Sequence, residues 1–237
     1  MGGEEVFRSG TLEMSAAPWE GLVQEPLWAD LTVNRVLCVA AVVLVVIDLL
    51  DYLRLVPHLL YTYDRSRGAE TLEHSIGTSR SRNAAAFIQA IPFCLVLDRY
   101  AVVRPAFWSG IPAAWSAPAT IGLVAAFLLV RRLLYAFFRP RRLSGESFDA
   151  LRHNLYNYLL LLVPLLLLTV AILTPAHVPD AAGRRILTGE ILAVWAFALV
   201  RSGQILGAHG SGLSTFLYLC GLELLPAALL AAVVVFF

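Results

Sequence analysis

Residues 155–174 read LYNYLLLLVPLLLLTVAILT, with no Asp, Glu, Arg or His among them. A helix needs roughly 20 apolar residues to cross the hydrocarbon of a bilayer. The run shows no alternation of apolar and polar positions, and a membrane β-strand is only about ten residues long. It therefore predicts a membrane-spanning helix. Working outward, comparable runs occur at 34–56, 84–104, 118–138, 187–206 and 213–236. Charges interrupt 84–104 and 118–138, which are the softer members of the set. The expected fold is all-α: a polytopic membrane helix bundle of about six transmembrane helices over residues 31–237.

Composition points the same way. Of 237 residues, 59% are hydrophobic and 15% charged, against roughly half and a quarter in a soluble domain. A soluble core of this size could not bury the excess. The lipid bilayer is thus the first partner expected. A net charge of +1 implies no nucleic acid, and the chain has no Walker loop or Rossmann glycine pattern to imply a nucleotide. All 18 basic residues are arginine. Cys38, Cys94 and Cys220 lie inside apolar runs and read as core thiols. The histidines are scattered, and Gly210-Ser211-Gly212 lacks both the glycine two positions before the serine and a later histidine base. No metal, cofactor or catalytic residue is expected.

Residues 1–30 form an acidic tail, with Glu4, Glu5, Glu13, Glu20, Glu25 and Asp30 against Arg8. A cleavable signal would begin basic. The other large extramembrane stretch is the polar loop 61–83. Arginine collects in cytoplasmic loops. Arg65, Arg67, Arg80 and Arg82 lie between runs one and two, and Arg139, Arg141, Arg142 and Arg152 between three and four. With six spans this places both termini outside. Trp19, Trp28, Trp108 and Trp115 then share the outer side.

Ionisable groups inside a membrane are costly and mark either pairing or function. Asp48 and Asp51 lie about as far from the inner end of the first run as Arg131 and Arg132 do from that of the third, within a turn at roughly 1.5 Å per residue. Pairing of the first and third helices through these residues is expected. Asn154 and Asn157 open the fourth run on the same side. Glu223 lies near the middle of the last run, and Arg201 and Asn157 are its nearest candidate partners by depth. Asp98 and Glu190 belong to the outer half. Pro92, Pro164 and Pro226 fall inside helices and can kink them.

Two segments resemble an uncharacterised family of multi-pass membrane proteins from Bacteroidetes. One is Phe216-Leu217-Tyr218-Leu219-Cys220-Gly221-Leu222-Glu223-Leu224-Leu225-Pro226. The other is Asn154-Leu155-Tyr156-Asn157, entering a leucine-rich run. The resemblance implies an inner-membrane protein and no particular activity. Tyr218 and Glu223 are unusual choices for a lipid-facing helix, and Gly221 is expected to permit close helix approach. Pro226 leaves the carbonyl of Leu222 without its usual partner.

The candidate site is therefore an intramembrane polar cluster of Glu223, Arg201, Asn154, Asn157, Asp48, Asp51, Arg131, Arg132 and Tyr218. Two functions fit. The chain is a non-enzymatic subunit or scaffold working with envelope proteins, or it is a small transporter or channel for a solute, lipid or proton.

Overall fold

The computed structural model describes residues 28–64, 75–105, 108, 110–138, 144–208 and 212–236. Most of the acidic tail, Trp19, Arg65, Arg67, His74, Arg139, Arg141, Arg142 and the run His209–Ser211 lie outside the described residues. A short 3₁₀ turn, Trp28–Asp30, leads into α1 (Thr32–Asp64). There follow α2 (Ile76–Arg99), α3 (Ser116–Phe137), α4 (Gly145–Leu173), α5 (Asp180–Gly207) and α6 (Gly212–Leu219). A π-helical stretch, Cys220–Leu224, joins α6 to α7 (Leu225–Phe236), and these three pieces form the sixth helix of the bundle. No strand occurs among the described residues.

The fold is the expected all-α membrane bundle. Five of the six helices are long and apolar enough to cross a membrane: α1, α4, α5, α3 with a second 3₁₀ turn, Ala113–Trp115, before it, and the sixth. Most helices overrun the apolar windows that announce them. α4 begins ten positions before residue 155, where the Ser144 hydroxyl accepts the Ser147 amide at 3.1 Å and satisfies one of the open donors of the first turn. The polar loop expected over 61–83 contracts in the same way, because α1 runs to Asp64 and α2 starts at Ile76. Hydrophobicity marks where lipid is, whereas backbone hydrogen bonding carries a helix beyond it.

Side-chain bonds show that successive helices alternate in direction. At one end, Trp28 reaches Asp98, Ser116 reaches Asp98, and Arg99 reaches Asp180. At the other, Arg201 reaches Thr62 and Tyr63 while Tyr63 reaches Asn157. These are called the Asp98 end and the Glu223 end below. At the Asp98 end, α2 and α4 both finish with a non-glycine residue in the left-handed region, Ala101 at φ 48° and His177 at φ 50°. In each case the next amide closes on the helix, from Val102 to Leu97 and from Val178 to Leu173.

The least apolar helix is the most central. α2 packs against α1, α3 and α4 and buries Ala85, Ala86, Cys94, Leu95, Val96 and Leu97. A helix flanked by three others need not be apolar all round, and Phe87, 78% exposed, marks the side it leaves uncovered. α1 is the converse. It buries one narrow seam, Asn34, Ala41, Asp48, Leu55 and Thr62, with Leu59 beside its end; the seven-residue spacing keeps one stripe on a neighbouring helix. Most of its remaining residues are exposed, Val39, Val46 and Ile47 to more than 60%, as suits a face turned to lipid.

Candidate intramembrane polar site

Glu223 sits inside the π-helical stretch. The sequence explains why. Pro226 has no N–H and its ring collides with the carbonyl of Leu222, so a regular α-helix cannot pass. The chain widens by one residue instead, and the Leu225 amide bonds to the Cys220 carbonyl. Such π-bulges occur frequently at functional sites.

The widened turn aims Glu223 at α3. Arg131 donates from Nη2 to Glu223 Oε1 at 2.7 Å and from Nε to Oε2 at 3.3 Å, a two-pronged contact that a guanidinium suits. Both side chains are under 8% exposed. The Tyr135 hydroxyl donates to the same Oε1 at 2.6 Å, and the Ser202 hydroxyl lies 3.4 Å from it. The third prong of Arg131, Nη1, donates to the Arg152 carbonyl at 3.0 Å, and its guanidinium stands 4.8 Å from the Tyr135 ring centre. Asn154 extends the network: its amide donates to the Ala198 carbonyl at 2.9 Å and to the Ser202 hydroxyl at 3.0 Å. Four elements, α3, α4, α5 and the π-helical stretch, thus meet at one carboxylate.

This geometry corrects the expected pairings. Glu223 is answered by Arg131, not by Arg201 or Asn157. Arg201 instead donates to the carbonyls of Thr62 at 2.5 Å and Tyr63 at 2.9 Å, and to Gln204 at 2.8 Å. It holds the end of α1 by its open carbonyls, much as a basic group caps a helix C-terminus. Asn157 receives Tyr63 through its backbone carbonyl at 2.6 Å. Its side-chain amide is buried with no hydrogen-bond partner among the described residues. The pairing of helices one and three through Asp48 or Asp51 and Arg131 or Arg132 does not form. Asp51 bonds Arg54 on its own helix at 3.5 Å, both exposed, Asp48 lies in the α1 seam, and Arg132 is exposed. Equal depth placed these charges at one level but not on facing sides. Adjacent residues on a helix point in different directions, so only one of Arg131 and Arg132 can face inward. Gly221 also needs a new reading, since a Cβ there would meet nothing within 4 Å; it does not serve close approach. Tyr218 packs against the buried cluster of Tyr135, Phe148, Leu151 and Leu222 and makes no bond to Glu223.

Tyr135 and Ser202 are the members that sequence reasoning missed. Tyr135 had a signal, because it follows Arg131 by four positions and shares its face. Ser202 had none beyond adjacency to Arg201.

The carboxylates of Asp98 and Glu190 are held separately. Asp98 accepts from Trp28 Nε1 at 2.6 Å, Ser116 at 3.1 Å and Thr120 at 3.3 Å. Glu190 accepts from Thr169 at 2.6 Å, and its second oxygen is buried with no hydrogen-bond partner among the described residues.

Between the two ends lies a cavity of about 460 Å³, walled by α2, α3, α4, α5 and α7 and lined by Phe93, Phe127, Leu159, Trp195, Ala227 and Ala231 among others. It is not sealed, because Leu192, Ala228 and Ala231 of its lining are exposed. Compared with protein-family models, with curated protein sequences and with solved structures, this chain matches none.

Proposed function

We propose that this chain is a non-enzymatic membrane component, an assembly or scaffold subunit of a cell-envelope complex in a bacterial inner membrane. One observation carries the reading: the buried charges of the Glu223 end are spent on joining helices. Glu223 accepts from Arg131 and Tyr135, and Arg201 is committed to Thr62, Tyr63 and Gln204. A carboxylate that relays protons must release its partners in each cycle, and a two-pronged buried ion pair resists that. The resemblance of residues 216–226 to a Bacteroidetes inner-membrane family supports the location. Arginine bias supports both termini outside, with Arg80, Arg82 and Arg152 toward the cytoplasm.

The test is purification from native membranes under mild detergent. Another envelope protein at near-stoichiometric yield is the expected result. Isolation of the chain alone, together with solute or proton flux when it is reconstituted in liposomes, would overturn the reading. Reporter fusions check the orientation: the Arg142 loop should read cytoplasmic and the C-terminus periplasmic. A second reading, a transporter or channel whose cargo is a lipid, is favoured only by the apolar cavity.

A further inference from the structure

The geometry points to the cavity as a binding site for one acyl chain of a bilayer phospholipid, entering sideways between α5 and α7. This goes beyond the scaffold reading and stands whether or not that reading holds.

The lining decides the chemistry. Tyr156, Tyr158 and Trp195 carry the lining's only polar side-chain groups; every other side chain is aliphatic or a phenyl ring. Water does not fill an apolar space, because it would surrender its hydrogen bonds there. A polar solute fails for the same reason. The volume, about 460 Å³, falls in the range of sites that hold small molecules. The ligand must therefore be long, flexible and apolar.

The route decides the source. α6 packs on α5, but past the π-helical stretch α7 leans on α3. The sixth helix thus parts from α5 along its second half. The residues that both line the cavity and face outward sit on this side: Leu192 of α5, 55% exposed, and Ala228 and Ala231 of α7, also exposed. In helices that cross a membrane, such an opening faces lipid. Ala227, Ala228 and Ala231 supply the width, since larger side chains there would close it.

Photolabelling of the full chain tests this. The protein is reconstituted in phosphatidylcholine vesicles containing a trace of phosphatidylcholine with a diazirine at an acyl-chain terminus. After irradiation, labelled positions are mapped by peptide mass spectrometry. Expected is an excess of label on Leu192, Trp195, Ala227 and Ala231 over Val43 and Val46 of α1, which are exposed and do not line the cavity. Ala227→Phe with Ala231→Phe should abolish that excess and leave the α1 label unchanged. If that double variant does not accumulate, Ala228→Trp, which closes the opening from an exposed position, should do the same. Equal labelling of cavity and α1, or an excess that survives in the filled variants, would overturn the site. A free fatty acid carrying the same diazirine separates the sources: labelling of the lining by that probe and not by the phospholipid would overturn a bilayer lipid as the occupant.

Discussion

Glu223 and Asp98 are both carboxylates at helix junctions, at opposite ends of one bundle, and they are stabilised by different means. Glu223 is buried in the helix interior and is met by a guanidinium, with a phenol and a serine hydroxyl completing its shell. Asp98 is partly exposed, one residue before α2 ends, and among the described residues it is met only by neutral donors: an indole and two hydroxyls. Depth explains the difference. Deep in the bundle an anion needs a countercharge, because the desolvation cost is several kcal/mol per ion. Near a helix end, neutral hydrogen bonds suffice. The two junctions should therefore respond unequally to the same kind of damage.

The largest effect is expected at Glu223. Glu223→Ala leaves Arg131 buried without its counterion and should cost about 3–5 kcal/mol, read as loss of folded protein in detergent melts. Replacing both partners, Arg131→Met with Glu223→Leu, should recover much of that loss. A double variant as unstable as the single one would show that the ion pair is not a self-contained unit.

Asn154 comes next. Asn154→Ala removes two bonds from α4 to α5 and should cost about 1–3 kcal/mol in the same melts. A loss as large as that of Glu223→Ala would mean that the network, rather than the ion pair, holds the junction.

At the other end, Asp98→Asn keeps an acceptor for Trp28 and should cost no more than about 1.5 kcal/mol. Asp98→Leu should release the 3₁₀ turn and raise hydrogen exchange around Trp28 while leaving α3 near Arg131 protected. Exchange that rises at both ends together would mean that the two junctions are not independent.

The smallest loss is at Asp51, an exposed partner of Arg54 on the same helix. Asp51→Asn should change stability by about 0.5 kcal/mol or less. In the opposite direction, Ala101→Gly should raise the melting temperature, since a left-handed residue with a Cβ costs roughly 1–2 kcal/mol.

The sequence by itself determined the class of fold and the number of helices. Apolar runs near 155–174 and 213–236 exceed what a soluble core can hide, and only helices satisfy their own backbone in lipid. It also placed Glu223, Arg131 and Asn154 among the candidates, because an ionisable or amide group in such a run is conspicuous. Pro226 after Glu223 marked the site where the helix widens. Tertiary structure alone decided the partners. Depth along an axis can be counted from residue numbers, but rotation about that axis and the choice of neighbour cannot. So Arg131 faces Glu223 while Arg132 turns outward, and Arg201 caps α1 instead. The same gap made α2 look like one of the two softer spans, although it is the most central helix. In a membrane, hydrophobicity reports contact with lipid, and a helix enclosed by protein no longer needs it. The cavity had no sequence signal at all, since its wall is drawn from five helices whose apolar residues could as well have faced lipid.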